Sequence, residues 1–196
     1  KALLEKDEAL ILFGLYAIEH PQSMTLKAIA QRIEAETNIK VGWLTPGANT
    51  AGAWRAGMVP HRGPDGVKLT QPGKSALEVL SHSAVRAYVL LQLEVDRDVA
   101  FPAAAMEALG QAGLVVCLSS FASESMLSVA DFILPVTPYM HNAGSYINVS
   151  GQEQAFVAAS VPHDEAKPAW KIIRALANFF DLEGFSYPHV QAVRKE

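Results

Sequence analysis

The stretch from Leu114 to Gln154, LVVCLSSFASESMLSVADFILPVTPYMHNAGSYINVSGQEQ, decides the fold class of this 196-residue chain. It opens with an apolar strand over residues 114–118, and a short helix is predicted over 123–130. A second apolar run over 132–134 ends at Pro135, and a loop rich in Asn, Gly and Ser follows. Strand, turn, helix and strand in this order are the wiring of a parallel α/β sheet.

The same wiring is predicted upstream of this stretch. A continuous apolar run over 9–13, a helical pattern that Asn38 ends and a short strand over 40–44 together predict a βαβ unit. A strand over 87–93 and an Ala-rich helix over 102–109 extend the second half. We therefore expect an α/β fold: a doubly wound, mostly parallel sheet with helices on both faces, plus a C-terminal helix over 169–180.

The chain divides into three predicted portions. Residues 1–66 form a first βαβ portion with a Gly/Pro-rich loop, residues 67–159 a second α/β portion, and residues 160–196 a C-terminal connector, helix and tail. The segment 45–66 contains five Gly and three Pro, which is too many for regular structure throughout. The three portions are also compatible with a single domain.

Composition excludes several classes of partner. Half of the residues are apolar and 18% are charged, so a well-packed globular protein is expected. The net charge is −4 and no basic cluster is present, so neither nucleic acid nor an anionic membrane surface is an expected partner. The longest apolar run has ten residues, whereas a membrane span needs about 20, so no direct membrane span is predicted.

Motifs for metal, nucleotide or nucleophile chemistry are missing. The single cysteine, Cys117, excludes a Cys-based zinc or iron–sulfur site within this sequence. Gly14 begins no dinucleotide fingerprint, and Ala53 and Trp54 stand where a phosphate loop needs Lys and Ser/Thr. The six His show no i, i+3 or i+4 pair: His20, His61, His82, His141, His163 and His189. We therefore predict neither a catalytic residue nor a metal ligand.

The loop over 139–154 is the most ligand-like segment. Its candidate cofactor-contacting residues are Asn142, Gly144, Asn148, Gly151 and Gln154. Neutral amides of this kind hydrogen-bond either to a cofactor's rings or to a neighbouring protein, and Gly permits close backbone approach.

Two groups of motifs carry a family resemblance. The order ADxxLP over 130–135, GSYxN over 144–148 and SGQxQ over 150–154 resembles the molybdopterin oxidoreductase superfamily. The segment 47–60, GANTAGAWRAGMVP, is similar to a segment of the large iron–sulfur subunit of NADH-quinone oxidoreductase, respiratory complex I. The two groups of motifs occur in the same order along both chains.

The resemblance implies a structural role. In the large iron–sulfur subunit, an N-terminal part binds iron–sulfur clusters, and the molybdoenzyme-like part that follows has lost its molybdenum cofactor. We expect this sequence, which begins without Met, to be a fragment of the second, C-terminal part. The expected partners are other peripheral-arm subunits, and the expected location is the cytoplasmic face of the bacterial inner membrane, as a peripheral component of the complex. No cofactor is expected in the fragment itself, and NADH:quinone oxidoreductase activity would belong to the whole complex.

The family pattern E-x-x-G-T-x-x-N-x-E-G-R-x-Q is only partly retained in the candidate loop. The chain departs from it at His141 and Ser150, which replace Glu, and at Gln152, which replaces Arg. The lost Arg is the fixed cation of the motif, so a pyrophosphate-bearing pterin is not expected. The alternative is a cofactor-binding fragment of a true molybdopterin-dependent oxidoreductase, such as a formate dehydrogenase-like enzyme, whose Gly-rich loops would line the pterin.

Overall fold

The structure is a computed structural model that describes residues 8–81, 85–161 and 165–195. The chain forms two compact units. The first contains the residues up to Met58 together with Gly63–Val67 and Tyr146–Gln154. The second contains Val59–Arg62, Lys68–Ser145 and the residues from Ala155 onward.

The first unit is built on a βαβ element, as the sequence predicts. Strand β1 (Ala9–Phe13) is followed by α1 (Leu15–Ile18) and α2 (Ser23–Glu36), and β2 (Ile39–Trp43) returns parallel to β1. Phe13 and Trp43 are register partners, and their rings stack with centroids 4.4 Å apart. A further short helix, α3 (Thr50–Arg55), lies in the segment predicted to be irregular.

The second unit contains a three-stranded parallel sheet in the order β3-β4-β5. Four short helices precede or connect its strands. In chain order the elements are α4 (Ala76–Ser81), β3 (Ala87–Leu91), α5 (Val95–Asp98), α6 (Pro102–Gly110), β4 (Leu114–Ser119), α7 (Glu124–Val129) and β5 (Phe132–Pro135). Two helices follow nearer the C-terminus, α8 (Ala169–Phe179) and α9 (Val190–Lys195).

The core of the second unit lies on one face of this sheet. Tyr88 and Leu90 of β3 and Val115 and Cys117 of β4 alternate toward that face. The helices contribute the rest of the buried cluster: Leu80, Val95, Ala105, Leu109 and Met126. Strand order explains this arrangement, because consecutive neighbouring strands joined by right-handed crossovers place their connecting helices on the same face.

The α/β class and the parallel pairing predicted from the sequence are confirmed, with one difference in layout. The strands form separate small sheets, and α5, α6 and α7 share one face of β3–β5. On the opposite face, Val89 and Phe132 are 63% and 60% exposed. A second helical layer needs a reversal of strand order, which the described residues do not contain.

The start of helix α4 is set by local hydrogen bonds. The sequence predicts helix α4 over 71–80 with Pro72 at its first position, but the helix begins at Ala76. The reason is a capping box, in which the Ser75 N–H donates to Glu78 Oε2 (2.7 Å) and the Glu78 N–H donates to Ser75 Oγ (3.3 Å).

None of the helices in the described ranges has the length and apolar character that a membrane crossing requires.

Candidate functional site

The candidate loop over 139–154 folds as a β-hairpin and not as an open loop. Strands β6 (Gly144–Ile147) and β7 (Glu153–Phe156) pair with each other. The five-residue connection makes them antiparallel, because a parallel pair needs a crossover of a dozen residues or more. Gly151 supplies the left-handed backbone of the turn, with φ of +79°.

Asn148 holds this hairpin turn together. Its side-chain Oδ1 accepts hydrogen bonds from the N–H groups of Ser150 and Gln152, each at 3.0 Å. Its own N–H donates to the Gln152 carbonyl at 3.1 Å, and its carbonyl accepts from the Gly151 N–H at 2.9 Å. The carboxamide oxygen that the sequence offers as a cofactor contact is therefore used to shape the turn.

Asn142 is likewise committed to its own segment. Its Oδ1 accepts a hydrogen bond from Thr137 Oγ1 at 2.6 Å. Its Nδ2 donates to the carbonyls of Thr137 and Pro138, each at 3.1 Å. Thr137 is buried, so this group of bonds satisfies polar atoms that water does not reach.

The remaining candidates contribute packing space and exposed surface. A Cβ on Gly144 would lie 3.2 Å from Phe156 Cζ, so Gly144 makes room for that ring. Gln154 is an exposed residue of β7. Asn142 and Gly144 belong to the second unit, whereas Asn148, Gly151 and Gln154 belong to the first.

Sequence reasoning missed the residue that connects the two groups of motifs. Asn49, in the GANTAGAW segment, accepts a hydrogen bond through Oδ1 from the N–H of Ile147 at 2.8 Å. A Cβ on Gly52 would lie 2.0 Å from that same Oδ1, so the carboxamide takes this position because residue 52 is glycine. The Asn-x-x-Gly spacing was the available signal, but nothing local in the sequence indicated the partner.

Gln92 and Ser120 form hydrogen bonds with each other at the carboxyl ends of β3 and β4. Gln92 Oε1 accepts from the Ser120 N–H at 3.1 Å, and Gln92 Nε2 donates to Ser120 Oγ at 2.7 Å. The Gln92 backbone is left-handed with φ of +50°, and its N–H donates to the Leu118 carbonyl at 2.8 Å. The amide and hydroxyl groups at this edge are thus engaged with each other.

Ser123 and Asp131 of the opening stretch have structural roles. Ser123 Oγ accepts from the Met126 N–H at 3.2 Å and caps α7. Asp131 Oδ2 accepts from the N–H of buried Val115 at 2.7 Å and fixes the end of β5 against β4. Burial raises the pKa of the Cys117 thiol, which keeps it protonated and poorly nucleophilic.

Among the residues that the structure describes, no group of three or more His, Cys, Asp or Glu side chains is placed to hold a metal ion. His141 Nδ1 contacts the carbonyl and hydroxyl oxygens of Ser160 at 3.1 and 3.0 Å. His82 and His163 lie outside the described residues.

Comparison with known proteins identifies the family. A family model described as molybdopterin oxidoreductase matches residues 1–179. The chain belongs to the molybdopterin oxidoreductase family. That match covers both α/β portions and all the motifs discussed above.

Two curated proteins are similar to parts of this molybdopterin oxidoreductase chain. The mitochondrial NADH-ubiquinone oxidoreductase 78 kDa subunit of Candida albicans is 40% identical over 67 residues, which cover 34% of this chain and 9% of that protein. A putative formate dehydrogenase of Staphylococcus aureus is 30% identical over 102 residues, which cover 52% of this chain and 10% of that protein. The chain thus spans about a tenth of the length of either relative.

The residues at the candidate loop of this molybdopterin oxidoreductase family member do not fit a pyrophosphate-bearing pterin. Such a group needs cations and available donors at its phosphates. The position that carries Arg in the family pattern holds Gln152, and the Asn142 Nδ2 already donates to the Thr137 and Pro138 carbonyls. The loop therefore lacks the cation of the family pattern, and its Asn142 amide donors maintain its own conformation.

Proposed function

We propose that this chain is a structural, molybdoenzyme-like part of the large iron–sulfur subunit of an NADH-quinone oxidoreductase. In this role it supports neighbouring subunits and holds no redox centre of its own. The 40% identity to the 78 kDa subunit over 67 residues supports this assignment. The observation that carries it is the commitment of three asparagine side chains to internal hydrogen bonds: Asn49 and Asn148 of the shared motifs, and Asn142 of the candidate loop.

This observation matters because a carboxamide has a limited hydrogen-bonding capacity. A side chain whose oxygen already accepts two N–H bonds, as Asn148 does, offers no acceptor to a ligand unless the turn that it holds is broken. The same amides stabilise the surface loops that a neighbouring subunit would contact. A scaffold retains residues of this kind, and the loss of the cation at Gln152 has no consequence for it.

The proposal places the redox chemistry elsewhere in the assembly. Iron–sulfur clusters would be bound by the N-terminal part of the intact subunit, and electrons from NADH would pass through that part to quinone. The partners would be other peripheral-arm subunits, and the complex would lie at the cytoplasmic face of a bacterial inner membrane. The composition is consistent with protein partners, because the chain has a net charge of −4 and no basic cluster.

Alanine substitutions in the intact complex test this function. Asn148→Ala removes the two side-chain bonds of the turn, and we expect less assembled complex on a native gel but an NADH:quinone rate per assembled complex within about twofold of wild type. Gln152→Ala should behave in the same way with a smaller assembly defect, and Gln154→Ala is the matched exposed control. A rate per assembled complex that falls more than about tenfold for Asn148→Ala would contradict a purely structural role.

One observation favours a second candidate function, a molybdopterin-dependent oxidoreductase. The putative formate dehydrogenase match extends over 52% of this chain, a larger share than the 34% covered by the 78 kDa subunit. Elemental analysis of the intact native protein distinguishes the two. Molybdenum at one atom per chain, together with a fluorescent oxidised pterin in the extract, would support the enzyme and exclude the scaffold without a cofactor.

A further inference from the structure

The end of α8 presents three large apolar side chains to solvent. Phe179, Phe180 and Leu182 are 84%, 74% and 53% exposed, although the same helix buries Ala177. We call these three residues the apolar tip. Single exposed apolar residues are common on protein surfaces, but here three of four consecutive positions at one helix end are large, apolar and exposed.

The apolar tip belongs to an ordered turn. The Leu182 N–H donates to the Ala177 carbonyl at 3.0 Å, and the Asp181 N–H donates to the Asn178 carbonyl at 3.2 Å. These two bonds, with Asp181 in the left-handed region at φ of +52°, make a Schellman motif. The backbone that carries the tip is thereby held in one conformation, which lowers the entropy that a partner must overcome on binding.

The charges beside the apolar tip are acidic. Asp181 lies within the tip and Glu183 follows it directly. The cations of α8 are directed elsewhere: Lys171 Nζ lies 5.6 Å from the Trp170 ring centroid, and the Arg174 guanidinium lies over the same ring and donates to the Tyr187 carbonyl. A partner therefore meets apolar surface bordered by two carboxylates.

We propose that the apolar tip inserts into an apolar groove of another protein whose rim carries Lys or Arg. Complementary charge at the rim of an interface speeds encounter and selects partners, and aromatic anchors in a desolvated pocket provide most of the affinity. A second copy of this chain is disfavoured because two tips would bring four carboxylates together. An anionic lipid surface would repel the same two carboxylates. The inference does not depend on whether the chain is a scaffold or a cofactor-binding enzyme, because it rests only on the exposure and charge of the apolar tip.

Site-specific photocrosslinking in the intact native assembly tests this proposal. Benzoylphenylalanine replaces Phe180 in one sample and Tyr16, which is 94% exposed in the first unit, in the control. We expect a defined product from position 180 with one other polypeptide, mapped by mass spectrometry to an apolar segment flanked by Lys or Arg. Position 16 should not yield this product.

A second experiment tests the role of the two carboxylates by neutralising their charge. Asp181→Asn together with Glu183→Gln keeps the shape of the turn, because Asn also adopts the left-handed conformation. We expect this pair to lower the crosslinking yield at position 180 at least about fivefold, as rim charges act mainly on association. The proposal is overturned by an unchanged yield, or by a position-180 product that forms only with lipid, with a second copy or within the same polypeptide. Absence of any product above the position-16 control overturns it as well.

Discussion

Asn49 Oδ1 accepts a hydrogen bond from the Ile147 N–H at 2.8 Å, and this bond joins two motifs that lie 98 positions apart. Asn49 stands at the N-cap position of α3, yet its side chain makes no capping bond to that helix. Its oxygen is used on the hairpin strand instead. The contact gives a physical reason for the Asn-x-x-Gly spacing, since the missing side chain of Gly52 leaves the room that the carboxamide occupies.

Removal of the Asn49 side chain should destabilise the first unit. Asn49→Ala leaves the half-buried Ile147 N–H without its partner, and the expected cost is about 1–3 kcal/mol in the free energy of unfolding. Urea denaturation followed by circular dichroism measures it. Asn178→Ala, an exposed position in α8, is the matched control and should change the free energy by less than about 0.5 kcal/mol. Equal effects of the two substitutions would show that the bond contributes nothing.

Gly52→Ala should act through Asn49. The new Cβ would lie 2.0 Å from Asn49 Oδ1, so one of the two groups must move. We expect a loss of about 1–3 kcal/mol in the wild-type background and a clearly smaller loss in an Asn49→Ala background, where the clash is absent. A double-mutant cycle in urea measures the difference. Gly110→Ala, where a Cβ meets nothing within 4 Å, should be neutral or slightly stabilising. Additive effects of Asn49→Ala and Gly52→Ala would contradict the coupling.

Asp131 should stabilise the parallel sheet of the second unit. Its Oδ2 accepts from the Val115 N–H at 2.7 Å, and Val115 is buried. Asp131→Ala is expected to cost about 1.5–3 kcal/mol, because the bond involves a charged acceptor and its loss leaves a buried donor unpaired. Asp131→Asn keeps an acceptor oxygen and should cost about half as much. If both variants unfold at the wild-type urea concentration, the carboxylate has no structural role.

Stability should fall at alkaline pH because of two buried acids. Burial raises the pKa of the Tyr88 hydroxyl, which donates to the Val79 carbonyl at 2.9 Å, and burial also raises the pKa of the Cys117 thiol. Both groups are neutral below their ordinary pKa values, about 8.5 for Cys and 10 for Tyr, so their contribution is complete below about pH 8. As pH rises, the unfolded chain ionises first and binds fewer protons, so the free energy of unfolding decreases until the folded-state pKa values are passed.

Urea denaturation between pH 7 and pH 11 measures this decrease. Tyr88→Phe should flatten the part of the curve above about pH 10 and leave the part near the Cys pKa unchanged. Cys117 in the folded protein should also react with a thiol reagent far more slowly than in urea. Stability that rises with pH over this range, or a Cys117 thiol that reacts at the same rate with and without urea, would contradict the assignment.

The elements with strong local signals were predicted well. The run ALILF became β1 over the predicted residues, and the strand over 114–118 differs from β4 by one residue. The predicted start of α4 at Pro72 was wrong, because a side-chain bond decides this boundary. The bond between Ser75 and Glu78 makes the helix begin at Ala76, four residues after Pro72. The hairpin of β6 and β7 was not expected, because its turn depends on the Asn148 side chain and its strands are short.

The sequence by itself determined the α/β class, the parallel strand connections and the family, because apolar periodicity and motif order can be identified from the order of residues along the chain. Only the tertiary structure decided how the asparagines of the motifs and of the candidate loop are used. Asn49 and Ile147 meet across 98 positions, and Asn142 and Asn148 turn back on their own backbone. A carboxamide pairs as readily with a ligand as with a peptide group, so its residue type leaves the partner open and folding selects it.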